Sequence, residues 1–356
     1  MTSFVEYQNE LSQINAIAST QPEAFVAQTE SAYHQNIRDI AASIAGQRQD
    51  CKLVMLSGPS SSGKTTTANL LRNAFQEINV DSTIISLDDF YRGEHQAPLL
   101  ANGQHDYECL DALNVPEIEA CLLNLTEKNR CDTPVFNFEI HMPYPHRRQV
   151  VLKEHDIAIV EGIHALNPVF IDRLPKNQVS KIYISVKQGI YEETNELFTA
   201  NGVRLLRRIV RDYNFRGTKP GRTLQMWPSV MDGERKYIKP FRVGADYTIN
   251  SLHAYEICVL SNQAIPLLKT ISANHEYYDL ACRLLSSLEK FVSISAEIVP
   301  KNSIIREFIG GGIYSWCLID KSFSMMIGAA FCRSPIFYNW SIIWKILNLY
   351  VPASSE

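Results

Sequence analysis

A chain of 356 residues, 46% of them hydrophobic, can bury a sizeable core in one large domain or two smaller ones. A formal net charge of −4 argues against nonspecific nucleic-acid binding as the main role. Eight cysteines without a CxxC pair and nine histidines without HExxH exclude a disulfide framework and a zinc site, and fit a reducing, cytoplasmic setting. The opening Met1-Thr-Ser-Phe-Val-Glu-Tyr has neither a basic nor an apolar signal region, so no secretory signal is expected.

Two apolar stripes at helical spacing come first: Phe4, Tyr7, Leu11 and Ile14, then Tyr33, Ile37, Ile40 and Ile44, with Pro22 near a helix start. Residues 1–50 therefore read as a helical N-terminal extension without chemistry of its own. From residue 51 short apolar runs alternate with helical stretches: Leu53–Leu56, Thr83–Leu87, Ile157–Val160, Ile182–Val186 and Tyr247–Ile249. That alternation predicts an α/β fold, a parallel sheet flanked by helices, over residues 51–314. Ligands in such sheets sit beyond the carboxyl ends of the strands, so the residues after each run matter most.

After the first run comes Gly58-Pro-Ser60-Ser61-Ser62-Gly63-Lys64-Thr65, which matches GxxxxGK[ST], followed by a helix-compatible stretch to Ile78. Strand, Gly-rich turn and helix in that order make a P-loop, whose amides wrap a polyphosphate while the helix dipole points at it. Lys64 would reach the β- and γ-phosphates, and the Thr65 hydroxyl would hold Mg²⁺. Thr66 continues the motif.

Asp88 and Asp89 close the second run, beside this loop. Phosphoryl transfer to an alcohol needs a group that takes the hydroxyl proton, and Asp88 is the first choice for that base, Asp89 the second. Glu161 ends the third run as an acid after an apolar strand, placed to serve Mg²⁺. Arg204, Arg207, Arg208 and Arg211 share a helical face, and residues 204–222 hold seven Lys/Arg against one Asp. With the Gly/Pro-containing loop Asn214–Gly221, they read as an Arg-rich lid that closes over the triphosphate, stabilises moving charge and excludes water. Residues 315–356 form an apolar, aromatic tail of unknown role, whose only charges between Ser322 and Ser355 are Arg333 and Lys345. A packed helix, an interfacial membrane helix and an aberrant tail remain open for it. No uncharged run there reaches the ~18–20 residues of a membrane span.

Together these motifs, GPSSSGKTT (58–66), DDFY (88–91), TPVFNF with His141, VEGIHAL (160–166) and RLLRRIVRD (204–212), resemble the uridine kinase/phosphoribulokinase family of P-loop kinases over roughly residues 51–268. The resemblance implies an ATP- and Mg²⁺-dependent kinase of a small-molecule primary hydroxyl, the 5′-hydroxyl of uridine or cytidine in uridine kinases. It makes Asp88 the catalytic base, Tyr91 a pocket aromatic and Asp106 the acid that holds ribose hydroxyls. Phe136 and His141 would contact the pyrimidine, and Arg204 and Arg208 would face substrate and phosphate. Arg207 and Arg211 join the nucleotide-binding set. Met142-Pro143 after His141, and the segment Trp227–Tyr237, look more like a longer bacterial uridine-kinase-like branch. A small-molecule substrate, no nucleic acid and no membrane are expected, and self-association into a homo-oligomer is left open. Another alcohol acceptor (a sugar phosphate or a pantothenate-like alcohol) and a non-enzymatic ATP-binding protein remain alternatives.

Overall fold

The structure, a computed structural model, describes residues 4–314 apart from 48–49, 94–95, 100–102, 104 and 138–141. The tail at 315–356 and His141, expected to contact the pyrimidine, lie outside the described residues. Helices α1 (Leu11–Thr20) and α2 (Pro22–Gln47) lead into β1 (Leu53–Ser57), α3 (Lys64–Glu77) and β2 (Ser82–Ser86). Next come α4 (Val115–Lys128) and four short strands: β3 (Arg130–Thr133), β4 (Phe136–Asn137), β5 (Met142–Pro143) and β6 (Arg148–Val151). Then follow β7 (Ile157–Glu161), α5 (Pro168–Ile171), β8 (Val179–Ser185), β9 (Ile190–Glu192) and β10 (Asn195–Phe198). The last elements are α6 (Ala200–Arg216), α7 (Pro220–Tyr237), β11 (Tyr247–Asn250), α8 (Glu256–Lys269), α9 (Tyr278–Leu288) and α10 (Arg306–Ile309).

All five apolar runs become strands of one parallel sheet in the order β11-β8-β1-β7-β2. Side chains alternate across it, as strand geometry requires. Val54 and Leu56 enter the larger core, which includes residues of α2, α3, α6 and α8. Leu53 and Met55 enter the smaller core with residues of α4 and α5. Because β1 is central, the loop that follows it opens in the middle of the sheet's carboxyl edge.

Two expectations are corrected. Phe4 and Tyr7 precede α1 instead of belonging to it, because the backbone here pairs with the chain around β9. Tyr7 N donates to Gln188 Oε1 at 2.8 Å, and Tyr191 N donates to Asn9 O at 2.9 Å. The stretch expected as a flexible lid loop is mostly helix. Gly217, at φ 60°, ends α6, and Pro220 starts α7 at a position where its missing N–H costs nothing.

The arginine-bearing helix is interior. Val203 through Asp212 are all buried, so α6 is covered on every side over ten residues. Arg207 is 0% exposed, and its Nε and Nη2 donate to both oxygens of Glu256, at 2.6 and 2.8 Å. Removing one partner of such a pair leaves a charge without compensation. Glu256→Ala should therefore lower unfolding free energy by ~3–5 kcal/mol, measured by urea denaturation. A loss comparable to a surface mutation, ~0.5 kcal/mol, would contradict this.

Candidate active site

The P-loop is shaped by glycines and held by arginines. Gly63 has φ 89°, and Gly58 lies so close to β8 that a Cβ would fall 2.1 Å from Ile184 O. Ser61 also adopts a left-handed conformation, φ 59°, which costs a non-glycine residue energy the surroundings must offset. Those surroundings are α6. Arg204 Nε donates to Ser60 O at 3.0 Å, Arg207 Nη1 to Ser61 O at 3.3 Å and Arg208 Nη1 to Ser60 Oγ at 2.8 Å. Three of the four predicted arginines thus grip the loop from the protein interior.

Their charges are balanced by acids that the motif reading did not single out. Arg204 pairs with Glu234 at 2.7 Å and lies over the Trp227 ring at 5.5 Å. Asp212 pairs with Arg208 at 3.2 Å, Arg211 at 2.7 Å and Arg216 at 3.7 Å. Burial would raise the Asp212 carboxyl, but Arg211, Arg208 and Arg216 outweigh it and hold the group below its ordinary value. Arg216, outside the predicted arginine set, has its pKa brought down to about 10, chiefly by neighbouring Arg211.

The predicted carboxylates converge at the strand ends. Glu161 closes β7 level with Ser86 of β2, and Ser86 Oγ donates to Glu161 Oε1 at 2.9 Å. The same hydroxyl accepts from Asp88 N at 3.3 Å and so ties the two acids to one anchor. Gly162 is required beside them, since a Cβ there would meet Leu87 Cβ at 2.7 Å. Burial and then the Asp88 charge push Glu161 up to about 7, against the opposing pull of Lys64. Burial raises Asp88 as well, opposed by Lys64, Arg216 and Arg211. Asp89 is occupied, because its Oδ1 accepts from Phe136 N at 3.1 Å. That bond leaves Asp88 the freer carboxylate.

Beyond Asp88 lies an aromatic wall. The Tyr91 ring lies tilted at 5.8 Å from Phe136 and edge-on at 5.9 Å from Tyr107, and its hydroxyl donates to Tyr107 O at 3.0 Å. Asp106 sits at its edge, accepting from Glu108 N at 3.0 Å. Glu108, which the sequence left mute, is raised by burial and lies within the electrostatic reach of Arg208, Lys64 and Asp88. The spacing DxE carries too little information to have flagged it.

The family model described as phosphoribulokinase/uridine kinase matches residues 53–258. This chain belongs to that family. The uridine kinase of Saccharomyces cerevisiae is 28% identical over 261 residues, covering 72% of this chain and 46% of that protein. The chain thus spans less than half the length of that relative. A uridine kinase of Clostridium botulinum is 28% identical over 200 residues, 55% of this chain and 86% of its own. The solved phosphoribulokinase from Rhodobacter spheroides aligns at 17% identity and a TM-score of 0.37, over 56% of this chain and 71% of that one. Kinases of the family use ATP with Mg²⁺.

The residues present fit that metal. Mg²⁺ prefers one or two carboxylates, a hydroxyl and substrate phosphates to an all-protein cage. No group of three or more metal-binding His, Cys, Asp or Glu exists among the described residues. Instead the Asp88 charge helps raise buried Glu161 near Lys64, and a divalent cation would relieve that repulsion. The folded chain binds the Glu161 proton more tightly than the unfolded chain, whose carboxyl has its ordinary value of 4.5. Ionising Glu161 therefore destabilises the fold as pH rises from that value through about 7. In Mg²⁺-free buffer, Glu161→Gln should melt above wild type at about pH 8 and alongside it near pH 4. A variant that melts no higher than wild type at the alkaline end would contradict the raised pKa.

Proposed function

We propose that this chain is an ATP-dependent kinase that transfers the γ-phosphate to the 5′-hydroxyl of a pyrimidine nucleoside, uridine or cytidine. One observation carries the proposal: Asp88, the freer of two strand-end acids, lies within the electrostatic reach of both Lys64 of the P-loop and Tyr91, whose ring meets that of Phe136. A base close to both a phosphate cradle and a cluster of aromatic rings suits an alcohol attached to a planar ring.

In this mechanism the amides of Gly58 to Thr66 and the Lys64 ammonium hold the triphosphate. Thr65 and Glu161 hold Mg²⁺, which when bound neutralises phosphate charge. Asp88 accepts the proton of the attacking hydroxyl and aims its oxygen in line with the γ-phosphate. Tyr91 and Phe136, with His141, grip the base, and Asp106 accepts from the sugar hydroxyls. Arg208 and Arg211, together with Arg216, act on the moving charge, whereas Arg204 and Arg207 keep the loop in shape. That division follows from their partners: Arg207 is sealed against Glu256, while the field of Arg208 reaches Glu108 and that of Arg211 reaches Asp88.

Asp88→Asn tests the proposal. It should lower kcat with uridine by ~10²–10⁴-fold, with ATP affinity, read by calorimetry, close to wild type. Full turnover in the variant would remove Asp88 as the base.

A further inference from the structure

The last described segment folds back onto the P-loop and brings an acid with it. Glu307 of α10 is 6% exposed, and its Oε2 accepts from Thr66 N at 3.2 Å and from Thr66 Oγ1 at 2.9 Å. The segment around it is firmly seated. Ile304 lies against the loop so closely that a Cβ on Gly63 would fall 1.9 Å from Ile304 Cδ1. Phe308 packs on the Arg207 guanidinium at 5.0 Å. Ser303 Oγ donates to buried Glu30 at 2.6 Å, so the segment is pinned to α2 as well.

The position of that carboxylate matters. The ladder of α3 begins at Thr67, whose N–H donates to Gly63 O at 3.0 Å. Thr66 N–H therefore belongs to the first-turn amides that lack an intrahelical partner. In a P-loop these are the donors that cradle the α- and β-phosphates. Glu307 holds one of them with an anion of the same sign as phosphate. Its charge is also among the influences that raise Glu161 across the site.

We infer that Glu307 is an intramolecular competitor of the nucleotide: its carboxylate must leave Thr66 before a triphosphate seats fully, so residues 304–308 set the affinity for the phosphate donor. The inference rests on the kinase reading only in taking the P-loop as a nucleotide's cradle. A purely structural cap makes the opposite prediction, because a carboxylate at a helix N-terminus stabilises it and its loss improves nothing.

Calorimetric titration of the full chain with ATP, and separately with inorganic tripolyphosphate, distinguishes the two without an acceptor. Glu307→Gln keeps the side-chain shape and removes the charge, and should bind both ligands about tenfold more tightly than wild type. Equal or weaker binding by a variant that melts with wild type overturns the inference. If the variant melts early, hydrogen exchange on wild type decides. Faster exchange at 304–309 on adding ATP supports displacement, and unchanged or slower exchange overturns it. Neither readout requires turnover, so failure to phosphorylate uridine would count against the kinase proposal alone.

Discussion

The buried pair of Arg207 and Glu256 is the contact on which the site's geometry depends. It joins α6 to the start of α8 in the interior, where neither charge is solvated. From that fixed point Arg207 reaches Ser61 O, while Arg204 one turn before it and Arg208 next to it reach Ser60. A loop with a left-handed serine at its centre would relax without such anchors. Buried ion pairs add little net stability, but they specify geometry when every donor is used. Here the Arg207 guanidinium also donates to Ser251 O at 2.6 Å and Ser251 Oγ at 3.2 Å.

The same logic of charge runs through the rest of the site. On the loop side, arginines are neutralised by Glu234, Glu256 and Asp212, so the cradle is rigid without being flooded by positive charge. On the strand-end side, the charge of Asp88 raises Glu161, and the two acids share the serine anchor Ser86. In the proposed kinase, one half of the site holds anions and the other a cation and a proton. Phosphoryl transfer between two oxygens needs both, close together and sheltered from water. Glu307 adds a third element, an acid of the chain itself placed among the phosphate donors.

The sheet was legible because parallel strands covered on both faces read as apolar runs, and Leu53–Leu56 or Ile157–Val160 can hardly be anything else. The P-loop was legible because its spacing encodes one backbone shape. The short pairs β3/β6 and β9/β10 were not, since strands such as Arg130–Thr133 expose every second residue and carry a polar pattern. The arginine face was legible, but the acids that balance it were not. Four arginines at helical spacing look solvated unless their acids are known, and Glu234 and Glu256 lie 30 and 49 residues from their partners. Only Asp212, within the helix, gave a local sign. Glu307 is 241 residues from Thr66, and no sequence period connects them.

Phosphorus NMR of purified protein mixed with Mg²⁺, ATP and uridine tests the central claim most directly. A cradle facing a base and an aromatic wall predicts one uridine 5′-monophosphate for each ADP formed. ADP appearing with free inorganic phosphate and no uridine phosphate, or ATP left unconsumed, would contradict it.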